Sequence, residues 1–400
     1  MKRVELGTLF EFIRNGASIK QSELATGYPI TRIETIWNLT IDTSRLGYAN
    51  INDDSYSKYY LDKGDILMSH INSPKHLGKC AIYNGNPEVL IHGMNLLCLR
   101  PIRTKVNSKY LFYYLNSIYF KLKLNKISNQ SVNQASFTVT NLKKIKIPVP
   151  SLKEQEKIAN ILGKSENLKI KDKKIVDQYD SLMQSIFMDM FGTPSNNSHN
   201  FELGTVKDLV SSVNYGTSAK ADIDGEYSYL RMNNITYQGY MDYQDLKYIN
   251  LSKNDKPKYL VKKGDILFNR TNSKELVGKT GLYNEEHAMA IAGYLIRVRV
   301  NQKANPYYLW RFMNSSHCKS VLSHMCKSIV GMANINAQEL QKIQILLPPI
   351  ELQNKFAYRI KEIEKQKEIA QQSLKKSEEL FNSLLQQAFK GELTQTESAN

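Results

Sequence analysis

Short apolar runs alternate with longer helical patterns in two stretches of the chain. The runs at 65–68 and 96–99 are bounded by glycine or asparagine and are too short for helices, so they predict buried strands. Segments 110–126 and 307–327 are longer and predict helices. Because strands and helices alternate within each stretch, the pattern predicts mixed α and β structure.

Two much longer helical segments each follow a proline-ended strand, at 145–150 and 343–349. Proline stops a strand and suits the first turn of a helix. Each segment is about 40 residues, or about 60 Å of helix at 1.5 Å per residue. In the first, apolar residues at coiled-coil spacing predict a seam, interrupted by Ser165 and Asp172, through Ile161, Leu168, Ile175 and Leu182, with Ile158, Tyr179 and Ile186 beside it. In the second, the predicted seam runs through Ile360, Ile363, Lys367, Ala370, Leu374, Ser377, Phe381, Leu384 and Ala388.

The chain contains an internal duplication of about 200 residues. Lys-Gly-Asp-Ile-Leu occurs at 63–67 and again at 263–267, and 11 of the 22 positions in 63–84 and 263–284 are identical. Such a period is too long for a solenoid repeat. We therefore predict an α+β fold with two similar globular α/β lobes, a tandem duplication. The predicted ranges are 1–150 for lobe 1, 151–192 for a central helix, 193–348 for lobe 2, 349–391 for a C-terminal helix and 392–400 for a flexible tail.

The net charge of +16 indicates a polyanionic partner, and nucleic acid is the first candidate. The excess lies in the lobes, because 1–150 holds 20 Lys and Arg against 10 Asp and Glu, and 191–348 holds 19 against 13. The four cysteines are too few for a disulfide framework in so long a chain. Since no apolar run is long enough to cross a bilayer, we expect a soluble, cytoplasmic protein.

These features together resemble the specificity subunit of type I DNA restriction-modification enzymes over almost the entire chain. The resemblance rests on Lys-Gly-Asp-Ile-Leu within each lobe, on the proline-ended close at 148–157, and on the helix ends at 181–187 and 383–389. Each motif alone is weak, but their order, duplication and spacing make a strong match. One departure is that Leu352-Gln353-Asn354 replaces the Glu154-Gln155-Glu156 of the first copy.

The resemblance implies two target recognition domains, each reading one half of a split sequence in double-stranded DNA. It implies that the two long helices pair antiparallel as a spacer. This chain would bind no cofactor and catalyse nothing. Separate type I modification subunits, two of them, would transfer a methyl group from S-adenosylmethionine to adenine N6, and separate restriction and translocase subunits would cleave. Residues of the helices expected to form the spacer and dock partners are Ile161, Leu168, Ile175, Leu182, Ile360, Ile363, Leu374, Phe381 and Leu384.

Candidate DNA contacts are polar residues in loops that occur in both copies. Lys and Arg bind phosphates, whereas base edges are read by Arg, Lys, Asn or Gln. The difference between His70 and Arg270 at matching positions is the kind expected of base readers. The run at 129–134 is rich in Asn and Gln, and its counterpart is 328–334. The candidates are Lys20, Arg32, His70, Asn72, Ser73, Lys79, Asn129, Gln130, Asn133, Gln134, Lys220, Arg231, Arg270, Asn272, Ser273, Lys279 and Asn334.

Three other interpretations are weighed against this one. A self-contained adenine DNA methyltransferase is suggested by Asn305-Pro306-Tyr307-Tyr308, but the motif lacks a second proline and the chain lacks a glycine-rich cofactor turn. A zinc site at His317, Cys318, His324 and Cys326 is disfavoured, because helical geometry does not bring the four side chains together. A coiled-coil scaffold without a DNA role is disfavoured by the basic excess in the lobes.

Overall fold

A computed structural model describes residues 3–22, 24–37, 39–273, 276–325, 327–329 and 332–393, with only the backbone at 327–329 and at Met332. The chain forms two compact units. Unit 1 contains Met1–Lys173 and Gln372–Asn400, and unit 2 contains Lys174–Gln371. Each unit therefore holds one lobe together with part of each long helix. No helix in the described part of the chain is long and apolar enough to span a membrane.

Lobe 1 combines short strands with short helices and leads into a long helix. Its strands are β1 (Arg3–Glu5), β2 (Phe10–Asn15), β3 (Pro29–Ile30), β4 (Ile36–Trp37), β5 (Thr40–Ile41), β6 (Gly47–Tyr48), β7 (Ile66–Ser69), β8 (Ile71–Asn72), β9 (Cys80–Ile82), β10 (Leu96–Pro101), β11 (Asn129–Gln130), β12 (Ala135–Ser136) and β13 (Lys146–Pro148). Its helices are α1 (Ser108–Asn116), α2 (Ile118–Ile127), α3 (Val139–Lys143) and the long α4 (Leu152–Phe191). Short 3₁₀ helices lie at Leu6–Leu9, Ile33–Thr35, Thr43–Arg45, Asp54–Tyr59 and Pro74–His76.

Lobe 2 repeats this order and leads into the second long helix. Its strands are β14 (Glu202–Thr205), β15 (Val210–Tyr215), β16 (Tyr227–Leu230), β17 (Lys247–Ile249), β18 (Leu260–Val261), β19 (Ile266–Asn269), β20 (Thr271–Asn272), β21 (Thr280–Leu282), β22 (Met289–Ile291), β23 (Leu295–Val300), β24 (Lys327–Ile329), β25 (Met332–Asn334) and β26 (Gln344–Leu347). Its helices are α5 (Val206–Leu209), α6 (Lys256–Tyr259), α7 (Pro306–Met313), α8 (Ser316–Met325), α9 (Ala337–Gln341) and the long α10 (Ile350–Lys390), with a 3₁₀ helix at Met232–Asn234.

The predicted strands at 65–68 and 96–99 correspond to β7 and β10. The segment 110–126 was expected to form one helix but forms two. The break lies at Ser117, whose hydroxyl accepts a hydrogen bond from the Phe120 amide at 3.3 Å and so caps the second helix. Lobe 2 has the same break at Ser315, which accepts from Cys318 at 3.2 Å.

The two lobes share their central sheet, their terminal strand pair and a smaller sheet, which confirms the duplication, whereas the sheet β17-β16-β22-β18 of lobe 2 corresponds only to the two-stranded pair β3-β6 in lobe 1. The central antiparallel sheet has the order β2-β10-β7-β9 in lobe 1 and β15-β23-β19-β21 in lobe 2. In each lobe the first strand pairs with the last, β1 with β13 and β14 with β26. Each lobe also has a smaller three-stranded sheet that begins with the strand following β7 or β19 in the chain. Its order is β8-β12-β11 in lobe 1 and β20-β25-β24 in lobe 2. Because its first and last strands pair, each lobe closes on itself.

The Lys-Gly-Asp-Ile-Leu motif has a structural role in both lobes. Gly64 and Gly264 take positive φ angles of 98° and 89°, which favour glycine. The buried Asp65 carboxylate accepts two hydrogen bonds from Arg100, at 3.0 and 2.7 Å, and Asp265 accepts two from Arg299, at 2.7 and 3.1 Å. The motif thus makes a turn and anchors the central strand to its neighbour through a charge-assisted pair.

A fully buried glutamine fixes each long helix to its own lobe. The Gln155 side chain accepts a hydrogen bond from the Asn107 amide at 2.8 Å and donates one to the Pro150 carbonyl at 2.9 Å. Gln353 makes the matching contacts in lobe 2, at 2.9 and 2.8 Å. Gln155 and Gln353 therefore make the same contacts in the two lobes, although the residues beside them differ.

The long helices pair antiparallel within each unit. In unit 1, the Lys169 ammonium lies 4.5 Å from the centroid of the Phe381 ring, and Ser373 donates to Asp172 at 3.4 Å. Residue numbers rise from 169 to 172 along α4, while those of their α10 partners fall from 381 to 373. Unit 2 has the same sense, because Lys367 binds Asp180 at 2.6 Å while the earlier Arg359 reaches Met190 at 3.7 Å. The predicted antiparallel fold is therefore confirmed.

One row of the seam predicted for α4, through Leu168, Ile175 and Leu182, is wrong, because it lies on the outer face of the helix. Leu168, Ile175 and Leu182 are 44%, 43% and 44% exposed, and Ile161 is only half-buried. The buried face instead carries Ile158, Leu162, Ser165, Asp172, Val176, Met183 and Phe187. Ile158, Ser165 and Asp172 were predicted at the seam and are buried, whereas Leu162, Val176, Met183 and Phe187 were not predicted there. The residues of the seam predicted for α10 all lie at buried or half-buried positions.

A polar cluster joins the long helices to lobe 2 inside unit 2. The Tyr240 hydroxyl donates to Asp180 at 2.8 Å, and the Lys367 ammonium lies 3.9 Å from the centroid of the Tyr240 ring. Burial raises the pKa of the neighbouring Glu364 to about 7, although Arg311 and Lys367 partly offset the shift. The cluster therefore places charged groups where a coiled-coil seam is usually apolar.

Candidate nucleic-acid interface

A cleft of about 790 Å³ in lobe 2 brings together loops that are far apart in the sequence. Strand β20 pairs with β25, which sets Thr271 beside Asn334 at one wall. The predicted candidates Arg231, Arg270 and Asn334 all line the cleft. Ser218, Asn233 and Tyr294 line it too and were missed by the sequence analysis, because no motif connects their loops.

Arg270 presents a guanidinium to this cleft. Its guanidinium carbon lies 4.8 Å from the centroid of the Tyr215 ring. Its Nε is buried without a hydrogen-bond partner in the described part of the chain. The Tyr215 hydroxyl accepts a hydrogen bond from the Ala337 amide at 2.9 Å, so the ring beneath Arg270 is held in place.

Arg231, in contrast, is already engaged within the protein. Its Nη2 donates to the Asp245 carboxylate at 2.8 Å and to the Asp245 carbonyl at 2.9 Å. The hydrogen bond from Arg231 lowers the pKa of Asp245. Asn233 donates to the same carboxylate at 3.1 Å. Arg231 therefore shapes the rim of the cleft. Arg270, which has no carboxylate partner among the described residues, is the cation more available to a ligand.

Lys279 lies inside lobe 2 and not on its surface. Its side chain is 8% exposed, and its ammonium donates to the carbonyls of Met232 and Ile235 at 2.9 and 2.6 Å. Burial lowers its pKa. We therefore assign Lys279 to the interior of the lobe and not to a phosphate contact. The place of Lys279 in its own turn could not predict this. Its side chain points inward because the Met232 and Ile235 carbonyls, in and just after a 3₁₀ helix far away in the sequence, accept from its ammonium.

The turn residues beside Lys79 and Lys279 stabilise their own loops. Asn72 accepts a hydrogen bond from the Ser73 amide at 2.8 Å, and Asn272 accepts from Ser273 at 2.9 Å. The Asn72 amide also donates to Ser69 at 3.1 Å. All four turn residues are half-buried. These asparagines therefore shape the same loop in both lobes, and the DNA contacts of the turn residues stay predictions.

A smaller pocket of about 390 Å³ occupies the corresponding loops of lobe 1. Strand β12 pairs with both β8 and β11, which joins the turn after β7 to the run at 129–134. The structure thus brings together Asn72, Ser73, Asn133 and Gln134, and Asn95 joins them from the loop before β10. Asn129 and Gln130 are exposed on β11. The pocket is lined mainly by amides.

His70 is buried at the position that corresponds to Arg270. It is 8% exposed, its ring lies edge-on to Phe137 at 6.4 Å, and burial lowers its pKa. The predicted base contact is corrected for His70, because the ring packs into the core of lobe 1. Arg32 is half-buried and donates to Gln21 at 2.6 Å, and Lys79 is half-buried with no hydrogen bond or ion pair to its ammonium among the described residues.

Lys20 and Lys220 are exposed in loops that the two lobes share. Each loop begins at a glycine where the backbone approaches a neighbouring segment closely. A Cβ on Gly16 would lie 2.2 Å from the Gly93 carbonyl oxygen, and one on Gly216 would lie 2.3 Å from that of Ala292. The glycines therefore fix the loops from which the two lysines extend.

The residues behind the methyltransferase and zinc-site alternatives have structural roles. The Asn305 side chain accepts a hydrogen bond from the Tyr307 amide at 3.0 Å and caps α7, as Asn107 caps α1. In the described part of the chain, no group of three or more His, Cys, Asp or Glu side chains could hold a metal ion. Cys318 is buried in the core, and Cys326 lies outside the described residues.

Comparison with known proteins matches this architecture to one family. The type I restriction modification DNA specificity domain matches residues 1–177 and again 198–379. The MjaX specificity subunit of Methanocaldococcus jannaschii is 33% identical over 372 residues, covering 90% of this chain and 86% of the relative. The type I restriction enzyme EcoKI specificity subunit of Escherichia coli is 24% identical over 393 residues, covering 92% and 82%.

Solved structures share the fold. A chain from a type I R-M system covers 98% of both chains at a TM-score of 0.55 and 16% identity. The S subunit from M. genitalium covers 97% of this chain and 96% of its own at a TM-score of 0.52 and 14% identity. The duplicated lobes, the paired long helices and the matched family domain lead to one conclusion: this chain belongs to the type I restriction-modification DNA specificity subunit family.

Proposed function

We propose that this chain is the non-catalytic, sequence-reading subunit of a type I complex, in which each lobe binds one half of a split duplex target. The observation that carries the proposal is that both lobes have a pocket beside the turn that follows β7 or β19, and that different side chains line the two pockets. Lobe 2 has Arg270 and Asn334 there, whereas lobe 1 has Asn133 and Gln134. A shared scaffold with different lining residues suits two readers of different sequences.

Binding of the duplex backbone is assigned to the basic excess of the lobes. Exposed Lys20 and Lys220 extend from shared loops, and Lys79 carries an ammonium that no described residue binds. Phosphate contacts of this kind fix the register of a protein on DNA without reading sequence, and they make binding depend on salt. The bases would then be read from the two pockets.

The turn lysines provide a matched test of this assignment. Lys79→Ala is expected to weaken binding to all duplexes alike and to flatten the salt dependence by about one unit of slope, because one phosphate contact is lost. Lys279→Ala should instead lower the free energy of unfolding by roughly 1–3 kcal/mol, because two buried carbonyls lose their donor. Salt-series binding and urea unfolding of both variants measure the two effects. If Lys279→Ala flattened the salt dependence of binding and left the free energy of unfolding unchanged, Lys279 would be a phosphate contact and not an interior residue.

We assign docking of the modification subunits to the outer face of α4. Leu168, Ile175 and Leu182 recur every seven residues along it and are each more than two-fifths exposed. A regular exposed apolar row on a long helix suits a partner surface. The complex would contain two modification subunits that hold S-adenosylmethionine, together with restriction and translocase subunits. The chain itself would bind no cofactor.

The division of labour is tested by methyl transfer. The purified chain, given S-adenosylmethionine and duplex DNA, is expected to transfer no methyl group, whereas addition of its modification subunits should give methylation at one split sequence. Incorporation of labelled methyl groups, followed by sequencing of the modified sites, measures both outcomes. Turnover by the highly purified chain alone would overturn the non-catalytic role. A methylating complex whose activity has no sequence preference would overturn the reading role.

A further inference from the structure

The cleft of lobe 2 holds a cation that lobe 1 lacks at the same position. Arg270 follows β19, lies over the Tyr215 ring and lines the cleft. The matching residue of lobe 1, His70, is buried against Phe137. No carboxylate among the described residues pairs with Arg270. The two lobes therefore differ in charge at the position where each presents its loops.

The geometry of Arg270 limits what it can bind. Its Nε is buried, which leaves the two terminal nitrogens to face a ligand. Tyr215, held by its hydrogen bond to the Ala337 amide, supports the guanidinium from one side. Two parallel N–H groups fit two neighbouring acceptors, and the guanine edge in the major groove offers O6 and N7 in that arrangement. Adenine offers N7 beside a donor, and cytosine and thymine each lack the pair.

We propose that Arg270 reads one guanine in the half-site bound by lobe 2, by donating from its terminal nitrogens to O6 and N7. This inference rests on the proposed function. Tyr215 acts as a positioning residue, because it touches Arg270 and not the base. Lobe 1 reads no guanine from the matching position, since His70 is buried and the pocket there is lined by amides such as Asn133 and Gln134. One base position of the lobe 2 half-site is thereby assigned to Arg270.

The experiment uses the full chain assembled with its modification subunits. Genomic methylation is mapped in cells that carry the wild type, Arg270→Ala or Arg270→Gln. Arg270→Ala should make one guanine in one half of the methylated sequence degenerate. Arg270→Gln should move the preference at that same position from guanine towards adenine, because an amide matches the N6 and N7 of adenine. A role in folding alone would not change which base is preferred.

A binding assay isolates the contact itself. Replacing that guanine by 7-deazaguanine removes the N7 acceptor but leaves O6, and should weaken wild-type binding roughly 5- to 10-fold, at the lower end of the discrimination typical of a full bidentate base contact. The same replacement should not weaken Arg270→Ala further. Tyr215→Phe keeps the ring and should preserve the guanine preference, whereas Tyr215→Ala should weaken it. Lys220→Ala, an exposed cation of the same lobe, is the control and should weaken all duplexes alike.

The outcomes separate this inference from the function on which it rests. If the wild-type complex shows no sequence preference, the reading role fails. If the wild type methylates a defined split sequence but a folded Arg270→Ala complex keeps every guanine of that sequence, only the inference is overturned. Arg270→Lys, which keeps a cation, guards against misfolding. It should remain folded, keep affinity and keep part of the guanine preference, because an ammonium can also donate to O6 and N7 but lacks the rigid planar fork of arginine.

Discussion

Lys367→Ala is expected to lower the free energy of unfolding of unit 2 by roughly 2–4 kcal/mol, below the full range for a buried pair because Asp180 keeps some solvent exposure. The Lys367 side chain is 6% exposed and its ammonium lies 2.6 Å from the Asp180 carboxylate, whose side chain is 30% exposed. Removing the ammonium leaves a half-buried carboxylate whose remaining hydrogen bond among the described residues comes from Tyr240. Tyr240 also loses the cation above its ring.

Tryptophan fluorescence isolates this effect. Trp310 is buried in unit 2 with its ring 5.7 Å from that of Tyr240, and the other tryptophan, Trp37, belongs to unit 1. Urea unfolding in a Trp37→Phe background therefore reports on the cluster. The matched control is Lys365→Ala, because Lys365 is 67% exposed and pairs with Glu362 on the same helix. That change should cost about 0.5 kcal/mol or less.

The double variant Asp180→Leu with Lys367→Met should recover most of the loss. Replacing a buried ion pair by apolar residues of similar size is often neutral or stabilising, whereas removing one partner is not. Equal stability losses in Lys367→Ala and Lys365→Ala would contradict the importance of the buried pair. A double variant as unstable as Lys367→Ala would instead indicate that the Tyr240 hydroxyl and the lysine stem carry the stability.

Among the residues of unit 1 that the structure describes, the corresponding positions form no such cluster. Lys169 matches Lys367 in the repeat, yet its ammonium lies over Phe381, 4.5 Å from the ring centroid. Near it, a cavity of about 740 Å³ is lined by Thr40, Lys169 and Glu378, among others. Lobe 2 has Tyr240 in the matching loop, and this side chain reaches the helices. The two units thus share a backbone plan but join the lobe to the helices through different side chains, since lobe 1 uses the Tyr113 hydroxyl, which donates to Glu166 at 2.8 Å.

The sequence predicted what depends on local pattern and failed where direction depends on tertiary packing. The duplication and the proline-ended strands were visible as repeats and periodicities. The seam of α4 was visible only in part, because the heptad pattern does not show that Leu162, Val176 and Met183 are buried in place of Leu168, Ile175 and Leu182. Lys279 was placed on the surface, since nothing in its own loop shows that two carbonyls of a distant 3₁₀ helix receive its ammonium.

The candidate site was predicted in pieces and joined only by the fold. Asn72 and Asn133 are 61 positions apart and meet because β12 pairs with β8. Tyr215 and Tyr294 belong to no motif, and only the central sheet brings them to the side of Arg270. Comparison of the two copies was the signal that could have found them, because each occupies a position where lobe 1 has an asparagine.

Exchange of lobe 1 for that of a relative is expected to change one half of the methylated sequence and to leave the other half intact. Each lobe closes on itself, since β1 pairs with β13 and β14 pairs with β26, and each contains its own pocket. The junction after Pro150 is favourable, because Gln155 contacts backbone atoms that any related lobe supplies.

One contact of unit 1 determines how the chimera must be built. The Phe389 ring of α10 lies 5.0 Å from that of Tyr114 and 5.6 Å from that of Tyr110, so lobe 1 packs on the end of the second long helix. Exchange of 1–150 alone is expected to weaken this packing whenever the relative has other side chains there. A second chimera that also transfers 372–391 keeps both sides of the contact. Both chimeras should recognise the same new half-site, and the second should be more stable to urea. A change in both halves of the methylated sequence would show that the lobes do not read independently.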